Sequence, residues 1–255
     1  KGAYDYLTKP LDFEKLRIAN KKLQELNELK NQFLGMAAHD LRNPLSLITS
    51  FSSMLLNFGN EKLSENQSSL VRHISNASDK MLFLINDLLD FSSIESGKIS
   101  IKPCLTNLNN LLEYEIQHLS MIGEPKNISI KLKTDENIPE LLVDKNRLIQ
   151  VLENLMTNAV KYSYPNTEVL IKTAKNHKYV NLSFKDEGQG IAENELGRLF
   201  KPFQLTSTKP IGCSKMKSNG LGLVIVKKII EMHNGKIDVK SKLNEGTEFI
   251  ISLPI

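Results

Sequence analysis

Between about residues 11 and 96 the side chains follow a helical period, and this restricts that stretch to long α-helices. Leu16, Ala19, Leu23, Leu26, Lys30 and Phe33 are spaced alternately by three and four, a heptad seam that runs on through Ala37, Asp40 and Pro44. Polar Asn20, Lys21, Lys22, Gln24, Glu25 and Glu28 cover the other faces. Phe58-Gly-Asn-Glu-Lys reads as a turn. A second helix is predicted from about Ser64 to Ile94, with Leu70, Ile74, Ala77, Met81, Leu84, Leu88 and Phe91 on one stripe and Ser96-Gly97 ending it. Two such helices form a hairpin. One hairpin cannot bury both stripes, but two copies can, as a dimeric four-helix bundle.

From residue 98 the pattern changes to alternating strands and helices. Strands are predicted at 98–102, 128–132 and 141–143, and helices at 105–122 and 145–162. Residues 168–173 and 179–185 alternate apolar and polar with period two, as half-buried antiparallel strands do. A helix over 220–233 stops at Asn234-Gly235, and 236–240 with 247–253 close the domain as a β pair. The expected fold class is α+β: a helical hairpin followed by an α/β sandwich with helices on one sheet face.

Composition narrows the partners. With 33 basic and 29 acidic residues the net charge of +4 is too balanced to argue for nucleic acid. Cys104 and Cys213 fit no metal spacing and no disulfide framework, which suits a reducing, cytoplasmic compartment. No apolar run reaches the roughly 18 residues of a membrane span, and there is no signal peptide. The chain starts mid-motif without methionine, as a fragment would.

Four short motifs carry chemistry. On a helix, Ala37, Leu41, Pro44, Ile48, Phe51 and Leu55 share a face, with His39 roughly opposite, toward solvent. A neutral imidazole has one ring nitrogen free as a nucleophile. Asp40 can accept from the other nitrogen, Asn43 lies one turn away, and Pro44 should kink the helix. Asn154, Asn158 and Lys161 form a polar stripe opposite Leu148, Leu152, Leu155 and Ala159. An amide oxygen there suits Mg²⁺, and the lysine suits phosphate. Asp186-Glu-Gly188-Gln-Gly190 ends a predicted strand, where a carboxylate can read an exocyclic amine and glycines allow close approach. Ser218-Asn-Gly220-Leu-Gly222 opens a helix whose first N–H groups can face phosphate. Taken singly, each also reads as a surface histidine, a solvated helix face or a plain turn.

Together, in this order and spacing, they closely resemble the sensor histidine kinases of two-component systems, over about residues 30–255. His39-Asp-Leu-Arg-Asn-Pro44 resembles the H box, Asn154 to Lys161 the N box, Asp186 to Gly190 and Gly220-Leu-Gly222 the two glycine boxes, and Phe200-Lys-Pro-Phe203 the F box. The resemblance implies a dimerisation and histidine-phosphotransfer domain at 33–97 and a GHKL-type ATP-binding domain at 98–255. It implies His39 as phosphoacceptor, Asp40 as assisting base and Asn43 as the residue that positions water to dephosphorylate the partner regulator. Asn158 would bind Mg²⁺, with Asn154 and Lys161 near the phosphates. Tyr162, Gly188, Gly190, Ile191, Phe203, Gly220, Leu221 and Gly222 would form the ATP site, Asp186 would read adenine, and residues 203–219 would be the lid. The implied partners are a second copy of the chain and a response-regulator receiver domain. Two departures stand out: Ser218 replaces the usual first glycine, and Gln204 and Leu205 stand where an arginine often follows the F box.

Residues 1–15, with Lys9-Pro10, resemble the tail of a receiver domain, and 16–32 would be a coiled-coil signalling helix. Three other readings stay open at this stage. One is an ATP-hydrolysing relative of the same fold, such as DNA gyrase. Its water-activating glutamate would fall at Asn154, while Glu153 points about 100° away. The others are a dimeric scaffold with a defective ATP site and a phosphatase-dominant sensor.

Overall fold

The computed structural model describes residues 13–58, 63–96, 100–211 and 220–255. The chain divides into two units at residue 98. The first holds two helices, α1 (Phe13–Phe58) and α2 (Glu65–Glu95). α1 is unbroken through Pro44. α2 opens on a capping box: Ser64 Oγ accepts the Gln67 N–H, and the Gln67 side chain accepts the Ser64 N–H.

The helices run antiparallel, because contacts pair early residues of one with late residues of the other. Lys30 meets Glu95, Asn31 meets Ser92, Arg42 meets Asn86, and Thr49 meets Asp79. Ala38, Leu45 and Ser52, seven residues apart, are buried on α1, and Ser78, Asp87 and Ser92 on α2. Apart from Leu45, small and polar residues therefore make the seam within the hairpin. The apolar stripe read from the sequence lies elsewhere: Leu41, Ile48, Phe51 and Leu55 of α1, and Leu70, Ile74, Met81 and Leu84 of α2, remain exposed in the single chain.

The second unit contains β1 (Cys104–Thr106), α3 (Leu108–Leu119), β2 (Ser129–Lys133), β3 (Leu141–Val143), α4 (Lys145–Tyr162), β4 (Glu168–Lys175) and β5 (Tyr179–Asp186). A one-turn α5 (Glu193–Leu196), α6 (Gly222–Met232), β6 (Lys236–Ser241) and β7 (Thr247–Pro254) complete it. β1 and β3 form a small antiparallel pair. The main sheet has the order β2-β4-β5-β7-β6, with β2 and β4 parallel and the remaining pairs antiparallel. Val169, Ile171, Val180, Leu182, Phe184 and Ile251 project from its buried face. Leu148, Leu152 and Leu155 of α4 and Ile225 and Ile229 of α6 are likewise buried. Each such side chain contributes about 1.5–3 kcal/mol of apolar burial.

Local chemistry sets the element ends, and in three places it moves them from the sequence expectation. Of the strand expected at 98–102, residues 98 and 99 lie outside the described residues and 100–102 form none; a strand forms at Cys104–Thr106, where β3 lies opposite, and the Lys102 N–H is taken by Asp144 Oδ2 at 2.8 Å. The helix expected from Leu105 starts at Leu108, because the Asn107 side chain accepts the Asn110 N–H and caps it. It ends at Leu119, followed by a 3₁₀ turn over Ser120–Ile122. The helix expected from Gly220 starts at Gly222, since Gly220 has φ +72°, outside helical geometry. Asp144 caps α4 through the Arg147 N–H, and its own N–H donates to His233 Nε2 at 2.8 Å. His233 Nδ1 in turn donates to the Ile229 carbonyl, which ties the end of α6 to the start of α4.

Candidate functional site

In the first unit, His39 projects from α1 with 68% of its side chain exposed. Its Nδ1 lies 3.2 Å from Asp40 Oδ1. With Nδ1 as the donor to that carboxylate, Nε2 keeps its lone pair. Asn43, one turn further, is exposed, and Arg42 beside it reaches across to Asn86 on α2 at 2.8 Å.

In the second unit the fold gathers the other three motifs. Asp186 ends β5 with 6% of its surface exposed. Its Oδ1 accepts the Gly188 N–H at 2.9 Å and the Thr247 N–H at 3.1 Å. Among the described residues its Oδ2 has no partner. Burial pushes the carboxyl up to about 6, against the opposing pull of the two N–H donors.

The first glycine loop is pressed onto the end of α4. Gly188 bridges to Ser163, and a Cβ on Gly188 would collide with the Tyr162 carbonyl oxygen, which accepts the Gln189 N–H at 3.2 Å. Gly190 has φ +65°, and a Cβ there would overlap the Lys242 carbonyl. The Ile191 N–H is held by Ser241 Oγ at 2.8 Å.

The polar stripe of α4 divides. Asn158 is half-buried, and its carboxamide has no hydrogen-bond partner among the described residues. Lys161 is 3% exposed, with its ammonium 5.4 Å from the Tyr162 ring centre; burial lowers its pKa to about 8. Asn154 turns back on its own helix, where its Nδ2 donates to the Gln150 carbonyl at 2.9 Å. Its Oδ1 faces Gly222, where a Cβ would lie 2.5 Å away. The second glycine motif is therefore small at Gly222 because α6 begins against Asn154. Leu221 is buried, and its carbonyl accepts the Ile225 N–H in the first turn of α6.

The segment after Phe200 is fastened at several points. The Phe203 N–H donates to the Gly220 carbonyl at 3.2 Å, while its side chain is exposed. Ser207 donates through both N–H and Oγ to the Glu195 carboxylate at 2.7 and 2.9 Å. The Lys209 carbonyl accepts from the Gln189 side chain, and the Ile211 N–H donates to the Lys161 carbonyl at 3.2 Å. Gln204 lies against Gly220, and Leu205 is exposed. Ser218 falls outside the described residues.

Three participants were not singled out from the sequence. Ser163 is fully buried beside Gly188, and its Oγ has no hydrogen-bond partner among the described residues. Thr247, 61 residues from Asp186, and its neighbour Gly246 close on that residue; Gly246 has φ +84°, and a Cβ there would strike the Asp186 carbonyl. Asn244-Glu-Gly246 is legible as a turn, but its partner across the sheet is not. Among the described residues there is no cluster of three or more acidic, histidine or cysteine side chains able to hold a metal. None of the described helices is long and apolar enough to cross a membrane.

This is the geometry of a phospho-acceptor hairpin and an ATPase-type α/β domain. Residues 29–97 match the family described as the His Kinase A (phospho-acceptor) domain. Residues 143–255 match the histidine kinase-, DNA gyrase B- and HSP90-like ATPases. The circadian input-output histidine kinase CikA of Synechococcus elongatus is 32% identical over 234 residues, 91% of this chain and 31% of that protein. The sensor histidine kinase GacS of Pseudomonas protegens is 33% identical, over 93% of this chain and 26% of its own length. The crystal structure of full-length ShkA in complex with AMPPNP matches with a TM-score of 0.73 at 28% identity, covering 88% of this chain and 45% of that one. The nucleotide-free catalytic domain of ThkA matches with a TM-score of 0.52 at 29% identity, covering 60% and 96%. Residues 29–97 therefore carry a His Kinase A phospho-acceptor domain and residues 143–255 an ATPase domain of the histidine kinase-, DNA gyrase B- and HSP90-like family, and over most of its length the chain is similar to sensor histidine kinases. It spans about a quarter to a third of the length of these curated relatives.

Proposed function

We propose that the chain transfers the γ-phosphoryl group of Mg·ATP to Nε2 of His39 and passes it on to an aspartate of a response-regulator receiver domain. The observation that carries this reading is the exposed His39 whose Nδ1 is engaged by Asp40, leaving Nε2 as the nucleophile. The Nε2 lone pair attacks the γ-phosphorus in line, the bond to the bridging oxygen breaks, and ADP leaves. Asp40 stabilises the positive charge that develops on the ring. Positioning and charge neutralisation do most of the rest.

The residues present fit a nucleotide and one metal ion. Among the described residues Asp186 Oδ2 is an unused acceptor in a buried setting, suited to the exocyclic amine of adenine, and Ser163 Oγ is an unpartnered hydroxyl close by. Lys161 and Asn158 lie on the polar stripe of α4, for phosphate and metal. Mg²⁺ typically keeps several waters and takes few protein ligands, so one amide oxygen plus phosphates is a suitable set. When bound, Mg²⁺ would neutralise phosphate charge. The position of a water-activating glutamate is taken by Asn154, which favours transfer to histidine over hydrolysis.

The exposed stripe of Leu41, Ile48, Phe51, Leu70, Ile74 and Leu84 supports a homodimer through a four-helix bundle at 33–97. Asn43, exposed one turn from His39, would position water for dephosphorylating the regulator. Residues 16–32 would be the signalling helix and 98–255 the ATP-binding domain. Residues 1–15 would be the end of a receiver domain feeding that helix; positions 1–12 of this reading lie outside the described residues.

The test is incubation with Mg²⁺ and γ-labelled ATP beside His39→Gln. Acid-labile, alkali-stable label on the parent alone is expected. Label on both chains would assign a different acceptor, and label on neither would reject autophosphorylation.

A further inference from the structure

Lys126 closes a 3₁₀ turn (Glu124–Lys126) that leads toward β2. It belongs to none of the four motifs. Its ammonium donates to three main-chain carbonyls at the end of α4: Val160 at 2.7 Å, Lys161 at 2.9 Å and Ser163 at 3.3 Å. An ammonium has three donors, and all three are used. The last carbonyls of a helix lack intrahelical partners and carry the negative end of its dipole, so a partly buried cation stabilises them.

The same turn is where the nucleotide motifs converge. The Lys161 carbonyl takes the Lys126 ammonium and also the Ile211 N–H from the segment beyond Phe203. The Tyr162 carbonyl takes the Gln189 N–H of the first glycine loop. Ser163, whose carbonyl Lys126 holds, bridges to Gly188. The Lys126 carbonyl in turn accepts the Asn166 N–H at 3.0 Å, so the cation is anchored on both sides. Desolvation by partial burial lowers its pKa, even though the three carbonyl oxygens favour the charged form.

We infer that Lys126 is a positioning residue for the nucleotide: it fixes the turn of α4 that carries Lys161 and Tyr162, and through the Lys161 carbonyl it also fixes the root of the lid. This rests on the reading of that site as the ATP site. Removing the cation leaves every group assigned to the nucleotide in place but lets the turn fray. Nucleotide affinity should fall while the chemical step, at saturation, is spared.

The experiment compares the full 255-residue chain with Lys126→Met and Lys126→Gln. Three quantities are read: equilibrium Mg·ATP binding, KM and kcat for labelling of His39, and amide hydrogen exchange at Ile211. The Met variant should raise Kd and KM roughly tenfold, the size of one lost charge-assisted hydrogen bond. Its kcat should stay within about twofold, and Ile211 should exchange faster. The Gln variant, with two neutral donors, should fall between. A Met variant that melts earlier but binds Mg·ATP like the parent reduces Lys126 to a helix cap and overturns the proposal, as does a loss confined to kcat. If the Met variant does not fold, unchanged Kd and KM in the Gln variant overturn it. A parent that binds no Mg·ATP rejects the nucleotide reading and this inference together; a parent that binds beside unaltered variants rejects this inference alone.

Discussion

His39 Nδ1 and Asp40 Oδ1 are 3.2 Å apart on the exposed face of α1, so consecutive residues place a carboxylate against one ring nitrogen and leave the other clear of it. Asp40→Asn removes that charge at constant shape. Labelling of His39 should slow by roughly 10²-fold, within the usual range for a lost acid–base partner. Mg·ATP affinity should be unchanged. Equal labelling rates in the two chains would remove Asp40 from the reaction.

Gly222 faces Asn154 Oδ1, and a Cβ would sit 2.5 Å from it. Gly222→Ala should destabilise the second unit by about 1–3 kcal/mol through overpacking. Adding Asn154→Ala should recover most of that loss, because the obstructing oxygen is gone. Denaturant melts of the four chains of the cycle measure the coupling, and additive effects would rule the clash out.

Asp186 predicts a pH dependence. Its pKa in the fold, about 6, lies above the ordinary 3.8, so the native chain binds this proton more readily than the unfolded one. Stability from this group therefore rises as pH falls through that window, and above pH 6 the buried anion costs on the order of 2–3 kcal/mol. Asp186→Asn keeps an acceptor for Gly188 and Thr247 and removes the titration. The stability of the parent minus that of the variant should increase from pH 7 to pH 4. A flat difference would contradict the burial of this carboxylate.

Lys161 predicts a proton linkage of opposite origin. Burial holds its ammonium near 8, so at pH 8.5 a large share of the free protein has it neutral. A phosphate beside it favours the charged form. Binding of Mg·ATP at that pH should take up roughly half a proton or more, measured by calorimetry in buffers of different ionisation enthalpy. Lys161→Met should abolish the uptake. Uptake that persists in the variant would place the phosphates away from Lys161.

Much of this was legible because it is local. α4 occupies Lys145–Tyr162, the span its periodicity indicates, and β5 and β7 follow their period-two runs to within a residue. The strand at Cys104–Thr106 was not legible, because a three-residue strand exists only where β3 lies opposite. Nor was the hairpin seam. Ala38 and Ser52 look less apolar than Leu41, Ile48 and Phe51, yet they are buried with Leu45, since small residues let two helices approach closely.

The sequence by itself determined the helical hairpin, the α/β domain and the four motifs, because periodicity and short spacings are encoded by neighbours along the chain. Only the tertiary structure decided that Thr247 and Gly246 enclose Asp186, that Asn154 turns to Gly222 and that Lys126 caps the turn beside Lys161. Those pairs lie tens of residues apart, and each exists only because sheet register and helix packing bring its members within hydrogen-bonding or van der Waals distance.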